Sequence, residues 1–236
     1  MLRTIIWFGH FALTLVATLP KISKVRKMKE QGKDQEVETY VHNITTKWAR
    51  SQVKWSGADV RLYGEENLPT PDETVLYIAN HQSYFDILSC HNAIDMPLGF
   101  MSKDNIKDIP LLYKYMDDIG CTYLDRTDLK KGLETILQTA DIIKSGHSMM
   151  IFPEGTRNKG DELLPFKDGA FKIAQKAGCL IIPVAICGTD KCMEANKHNF
   201  LHSSKVVIEF LEPVDIRGLK PKERKEVLDA IPGKIQ

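Results

Sequence analysis

From residue 58 to the end of the chain, short apolar runs alternate with segments of helical periodicity. Continuous apolar runs of this length, rich in β-branched residues, are typical of strands that are buried on both faces. Alternating strands and helices predict an α/β fold, in which a mixed, mostly parallel sheet is flanked by helices on both faces. The predicted strands are 58–63, 74–79, 99–103, 121–125, 148–152, 180–187 and 205–210, and the predicted helices are one from 83, 129–145, 167–176 and a short one from 221.

The first 56 residues have a different pattern. Residues 4–19 form a nearly unbroken apolar stretch that Pro20 is expected to end, and a second helical periodicity extends over residues 34–55. The apolar stretch barely reaches the length of about 17 to 25 residues that a transmembrane helix needs. The sequence therefore predicts an N-terminal membrane-associating helical pair, 1–56, ahead of a single α/β domain, 57–236. Whether the first helix spans the bilayer or enters one leaflet stays open.

Positive charge is concentrated in the N-terminal segment, although the whole chain has a formal net charge of only +1. Residues 1–33 contain seven basic side chains against the single acid Glu30. A basic cluster directly after an apolar helix favours an anionic membrane surface, and we expect the cytoplasmic face of the inner (plasma) membrane. No nucleic acid is expected as a partner, because the basic residues lie next to an apolar helix rather than along one polar face.

His81 and Asp86 lie at the junction between the predicted strand 74–79 and the helix that follows it. Five residues of regular helix turn through about 140°, so the two side chains can meet only if His81 lies in the turn outside the helix. Ser83 is a suitable N-cap, which would make Asp86 the third helical residue. A carboxylate in the first turn can reach back to the imidazole, fix its tautomer and raise its basicity. The spacing favours a general base oriented by an acid.

Other polar residues of the same kind follow the neighbouring predicted strands. They are Lys103, Arg126, Glu154 and Arg157. In α/β sheets, active sites gather in the loops beyond the carboxyl ends of the strands. Arginine binds phosphate oxygens in a bidentate manner and lysine supplies a point charge, so one base with three cations predicts a phosphate ester or several phosphates as the ligand.

Four sequence blocks resemble those of the glycerolipid acyltransferase family. They are NHQSYFD (80–86), similar to the family's NHxxxxD, GCTYLDR (120–126), FPEGTR (152–157), similar to FPEGTRS, and IPVAI (182–186), an apolar run around a proline. The blocks occur in the family's order, and the resemblance covers most of the chain, about residues 60–213. Asn158 stands where the family usually has serine after the arginine of the third block.

The resemblance implies transfer of a fatty acyl group from a thioester to the sn-2 hydroxyl of 1-acylglycerol 3-phosphate, a lipid of the bilayer. His81 is expected to take the proton of that hydroxyl while Asp86 holds the imidazole, without an acyl-enzyme intermediate. The substrate-binding residues implied by the family pattern are Lys103, Arg126, Glu154, Gly155, Thr156 and Arg157. The two arginines are expected on the phosphate, and the glycine is expected to let the backbone approach the ligand.

Neither a cofactor nor a metal is expected, because the predicted cations already neutralise the phosphate. Acyl-CoA or acyl carrier protein is expected as the co-substrate, and both present the same thioester. Two alternatives stay open. One is an acyltransferase or transacylase for another lysophospholipid, and the other is a catalytically inactive peripheral membrane protein.

Overall fold

A computed structural model describes residues 1–158, 160 and 162–236, and within them the chain forms a seven-stranded sheet. The strands are β1 (Asp59–Tyr63), β2 (Val75–Ala79), β3 (Leu98–Lys103), β4 (Thr122–Leu124), β5 (Ser148–Ile151), β6 (Leu180–Cys187) and β7 (Lys205–Phe210). Their order in the sheet is β1-β7-β6-β2-β5-β3-β4. All neighbouring strands are parallel except β6 and β7, so β2 to β6 point one way and β1 and β7 the other.

Helices cover both faces of this sheet. They are α1 (Leu2–Val16), α2 (Leu19–Glu30), α3 (Asp34–Ser56), α4 (Phe85–Ala93), α5 (Pro110–Asp118), α6 (Leu129–Lys144), α7 (Asp168–Ala177), α8 (Pro221–Asp229) and α9 (Ile231–Ile235). Every residue of the central strand β2 is buried, and alternate side chains of a strand point to opposite faces. Tyr77 belongs to a core shared with α1 to α5, whereas Leu76 and Ile78 belong to a second core shared with α6 to α9. The predicted α/β class is confirmed.

The N-terminal segment forms three helices that pack on the sheet domain. The predicted pair corresponds to α1 and α3, and the basic cluster between them forms α2. Pro20 lies in the first turn of α2 rather than ending α1, a position where its missing N–H has no intrahelical partner to lose. The Trp7 indole donates to the Gln52 carbonyl at 3.0 Å, and its ring centroid lies 5.2 Å from that of Phe85. The division into 1–56 and 57–236 stays a prediction.

Much of α1 is nevertheless uncovered. Leu2 is 70% exposed and Leu13 is 69% exposed, and both are large apolar side chains. By length and composition, the helical stretch Leu2–Glu30 is apolar enough to cross a membrane. The segment therefore has one side anchored in the protein core and another that presents apolar surface outward.

Candidate active site

The strands β2 to β6 end at one edge of the sheet, which we call the carboxyl edge. Asn80 follows β2 and fixes it to β6, since its amide donates to the Ile186 carbonyl at 2.8 Å and accepts the Ile186 N–H at 2.7 Å. These two hydrogen bonds continue the pairing of β2 with β6 beyond the end of β2, with the Asn80 side chain in place of a backbone amide. It fixes the backbone position from which His81 projects.

His81 and Asp86 are in direct contact. The imidazole Nδ1 lies 2.7 Å from the Asp86 carboxylate oxygen Oδ2, which also accepts the backbone N–H groups of Gln82 at 2.7 Å and Ser83 at 2.9 Å. Because a carboxylate oxygen accepts, Nδ1 is the donor, and Nε2 is left with its lone pair free to take a proton. The His81 ring is stacked on Phe152, with centroids 4.2 Å apart, which fixes the plane of the imidazole. Asp86 is fully buried.

The start of α4 differs from the sequence prediction by one residue, since Tyr84 and not Ser83 is the N-cap. The helix begins at Phe85, so Asp86 is the second helical residue and not the third. The Ser83 hydroxyl accepts the Phe85 N–H at 3.0 Å and donates to a Glu194 oxygen at 2.6 Å. Ser83 therefore lies outside the helix, and its backbone N–H donates to the Asp86 side chain.

Glu154 joins the loop after β5 to the loop that carries the histidine. One of its oxygens accepts the His81 N–H at 2.7 Å, and the other accepts the Leu164 N–H at 3.1 Å. The His81 carbonyl in turn accepts the Asn158 N–H at 2.7 Å. The residue is 3% exposed, and burial raises the pKa of the Glu154 carboxyl. This geometry makes Glu154 a positioning residue for both loops, and a contact between Glu154 and substrate stays a prediction.

Cations converge on Gly155. Its backbone has φ +72°, and a Cβ added there would lie 2.9 Å from Arg126 Nη2 and 3.0 Å from Lys167 Nζ. Burial, with the neighbouring charges of Arg126, Arg157 and Lys167, lowers the pKa of Lys103. The structure thus places Arg126 at Gly155, with Lys103 under the influence of its charge, and it adds Lys167, which the sequence analysis did not single out. Substrate contacts by Lys103 and Arg126 stay predictions.

Arg157 lies at the same edge, but its side chain is bound to Glu194 and Tyr84. Its Nη1 donates to Glu194 Oε1 at 2.8 Å, and its guanidinium lies 3.8 Å from the centre of the Tyr84 ring. The same Glu194 oxygen accepts the Tyr84 N–H at 3.0 Å. Thr156 is exposed, and within the described parts of the chain its hydroxyl makes no hydrogen bond. Substrate contacts by Arg157 and Thr156 stay predictions.

The arrangement combines a proton acceptor with an anion-binding edge. His81 Nε2 can take the proton of a hydroxyl, and the nearby cations can neutralise an anionic group of the same ligand. Over the described ranges, no three His, Cys, Asp or Glu side chains are grouped so that they could hold a metal ion. The residues present are those needed to activate a hydroxyl on an anionic molecule.

A family model described as Acyltransferase matches residues 59–187, more than half of the chain and all of the elements that build this edge. The chain belongs to the acyltransferase family. It is 37% identical over 149 residues to a 1-acyl-sn-glycerol-3-phosphate acyltransferase of Chlamydomonas reinhardtii, which is 63% of this chain and 45% of that protein. It is 36% identical over 152 residues to the enzyme of the same name from Escherichia coli K12, covering 63% and 61%.

The acyltransferase also resembles a solved structure over nearly its full length. The crystal structure of the 1-acyl-sn-glycerophosphate acyltransferase from Thermotoga maritima has a TM-score of 0.79 and 25% identity, covering 99% of this chain and 94% of that one. The matches to the curated relatives from Chlamydomonas and Escherichia coli span about half to three fifths of their lengths. The three N-terminal helices thus lie within the structural match although they precede the family model.

Besides Lys167, two other residues of the acyltransferase site were missed from the sequence. The Thr189 hydroxyl donates to Asp86 Oδ1, the oxygen that the histidine does not use. Thr189 stands two residues after β6, so the rule that active-site residues follow strand ends could have found it. Glu194 lies deeper in the loop before β7 and reaches Ser83 from 111 positions away. No local pattern in the sequence marks that contact.

Thr189→Val is expected to slow acyl transfer by about tenfold, because a hydrogen bond to a charged group contributes about 1.5–3 kcal/mol. The valine keeps the shape of the side chain but leaves one Asp86 oxygen without its donor, so the carboxylate holds the imidazole less firmly. Steady-state rates measure this effect. Thr189→Ser restores the hydroxyl and should recover most of the rate. Wild-type activity in the valine variant would show that the Asp86 geometry does not depend on Thr189.

Proposed function

We propose that this acyltransferase moves a fatty acyl group from an acyl thioester, acyl-CoA or acyl carrier protein, to the sn-2 hydroxyl of 1-acylglycerol 3-phosphate, giving phosphatidic acid. The observation that carries the proposal is the His81–Asp86 pair, which leaves Nε2 free at the same carboxyl edge as the cations around Gly155. The names of the relatives from Chlamydomonas and Escherichia coli support the same acceptor. Donor, acceptor and product are all part of the proposal, because the chain matches only 45% and 61% of the lengths of those two relatives.

In the proposed reaction, His81 Nε2 accepts the proton of the sn-2 hydroxyl while the oxygen attacks the thioester carbonyl carbon. The tetrahedral intermediate then expels the thiolate, and the imidazolium returns the proton to the sulfur. Asp86 stabilises the imidazolium through the 2.7 Å contact to Nδ1. An acyl-enzyme is not part of this route. The Ser83 hydroxyl, the nearest in sequence to His81, is buried and donates to Glu194 instead of to the imidazole.

Head-group selectivity is proposed to come from the cations around Gly155. A phosphomonoester carries up to two negative charges and exposes three oxygens, whereas a phosphodiester carries one charge. Arg126 and Lys103 are therefore matched better by a free phosphate than by a choline-bearing head group. The glycine backbone leaves room for the oxygens, because a side chain there would meet Arg126 and Lys167 within 3.0 Å.

A competition assay tests the proposal. The purified protein is given a radiolabelled acyl-CoA with equal amounts of lysophosphatidate and lysophosphatidylcholine in mixed micelles, and the products are separated. Phosphatidic acid should be the main product, and a parallel reaction with acyl carrier protein identifies the donor. Equal acylation of both acceptors would contradict the phosphomonoester assignment, and absence of transfer to either would contradict the proposed activity.

The N-terminal segment is proposed to hold this site against the cytoplasmic face of an anionic membrane. Leu13 and the other exposed apolar residues of α1 would enter the lipid, and the lysines of α2 would contact the head groups. An acceptor that is itself a bilayer lipid needs the carboxyl edge at the membrane surface. One apolar helix with a basic flank supplies the two signals that stable attachment requires.

Leu13→Glu is expected to weaken binding to phosphatidylglycerol-containing vesicles by about tenfold or more, since burying a leucine contributes about 1.5–3 kcal/mol. Co-sedimentation over a range of lipid concentrations measures the change. Leu137→Glu is the matched control, because Leu137 is 41% exposed on α6, on the other face of the sheet and two turns beyond the carboxyl edge at which that helix begins. If the two variants lose binding equally, the attachment is not specific to α1.

A further inference from the structure

The cations at the carboxyl edge differ in their partners. Arg157 forms an ion pair with Glu194 at 2.8 Å, so much of its charge is already compensated. Lys103, Arg126 and Lys167 form no ion pair with any residue that the structure describes. Like charges held close together repel one another, and a bound anion relieves that repulsion. The three unpaired cations therefore form the stronger anion-binding group.

A backbone hydrogen bond fixes the position of Lys167 beside the other two cations. It is the residue immediately before α7, and its N–H donates to the Pro153 carbonyl at 3.0 Å in the loop after β5. Its Nζ and Arg126 Nη2 lie 3.0 Å and 2.9 Å from the position that a Cβ of Gly155 would occupy. An ammonium and a guanidinium thus both approach the bare backbone of Gly155, where no side chain separates them. Two cations held this close together can bind the oxygens of one anionic group.

Lys167 also acts on the other predicted phosphate-binding residues. Burial lowers the pKa of Lys103, and the charges of Arg126, Arg157 and Lys167 lower it further. The positive charge of Lys167 therefore adds to the positive potential at Lys103. Among the lysines of the chain, this one stands where the loop after β5 and the start of α7 meet.

We propose that Lys167 is a further substrate-binding residue, which binds the phosphate of the acyl acceptor together with Arg126. The inference rests on the proposed function and adds to it a phosphate-binding residue that lies outside the four sequence blocks. The phosphates of acyl-CoA have the same chemistry as the phosphate of the acceptor. The experiment therefore measures both substrates separately.

Lys167→Met removes the charge and keeps the length of the side chain. We expect the KM for lysophosphatidate to rise about tenfold, with a smaller change in kcat, because a charge-assisted bond to the phosphate is lost. The KM for acyl-CoA should stay unchanged. Lys167→Arg keeps the charge and should recover most of the acceptor affinity. The matched control is Lys172→Met, an exposed lysine within α7, which should behave as wild type.

Direct titration with sn-glycerol 3-phosphate provides a readout that does not need turnover. Wild-type protein and the Lys172→Met variant should bind it about equally, and Lys167→Met should bind it about tenfold more weakly. An unchanged acceptor KM and an unchanged titration in Lys167→Met, with the thermal unfolding midpoint preserved, would overturn the assignment. So would a rise in the KM for acyl-CoA alone. Phosphate binding that depends on Lys167 in a protein that transfers no acyl group would overturn the proposed function and leave the assignment standing.

Discussion

His81→Ala is expected to lower kcat for acyl transfer by about 10² to 10⁴-fold, the contribution of a positioned general base. The acceptor hydroxyl would lose the group that takes its proton, and the Asp86 carboxylate cannot replace it. That carboxylate is fully buried, and its Oδ2 is still occupied by the N–H groups of Gln82 and Ser83. The KM for the acceptor should change little, because the proposed phosphate-binding residues are other side chains. Initial rates at saturating acyl-CoA measure the effect.

His202→Ala is the control for this experiment. His202 is exposed near the end of the loop before β7, and its backbone N–H bonds to the Cys192 carbonyl, so the substitution leaves that bond in place. Its activity should stay within about twofold of wild type, as for most surface substitutions. If His81→Ala retains more than about a tenth of the wild-type rate, the imidazole is not the base of the reaction.

Glu154→Ala is expected to lower the free energy of unfolding by about 2–5 kcal/mol. The substitution leaves the part-buried N–H groups of His81 and Leu164 without acceptors, and each unsatisfied donor costs about 1–3 kcal/mol. It also releases the loop after β5 from the loop that carries the base, so activity should fall together with stability. Urea denaturation at constant m-value measures the first effect.

The loss of unfolding free energy in Glu154→Ala should depend on pH, and this dependence tests whether the Glu154 carboxyl is its source. Burial raises the pKa of Glu154, so the unfolded chain ionises at lower pH than the folded protein. The contribution of this group to stability is then full below its unfolded pKa and decreases as pH rises through the folded pKa. The difference between wild type and Glu154→Ala should therefore be largest under mildly acidic conditions. Glu212→Ala, an exposed acid in a loop, should show no such difference.

The strands and most helices could be predicted because burial imposes a local pattern. β2 is buried along its whole length and appears in sequence as a continuous apolar run, and α6 has one apolar face over sixteen residues. The helix α5 was not predicted, since its nine residues are shorter than the window over which helical periodicity becomes distinct. The antiparallel placement of β7 was also not predicted, because strand pairing is a non-local contact.

The same distinction applies to the site. The contact between His81 and Asp86 joins residues five positions apart, so a turn and a helix start suffice to predict it. Glu194 reaches Arg157 across 37 positions, and its location depends on how the loop between β6 and β7 folds back. Lys167 was missed for a related reason, since its ammonium group meets Arg126 only after α7 is placed against the loop after β5.

The N-terminal helices share their hydrophobic core with the sheet, and this limits what a truncation experiment can report. Trp7 is 5% exposed and Val25 is 2% exposed, and both pack in the core that contains Phe85. Cutting the chain after residue 33 would remove both side chains, and loss of a buried tryptophan alone costs about 3–5 kcal/mol. A shortened protein that failed to sediment with lipid would be unfolded as well as unanchored. Attachment and folding are therefore separable in this enzyme only by substitutions on the outward side of α1.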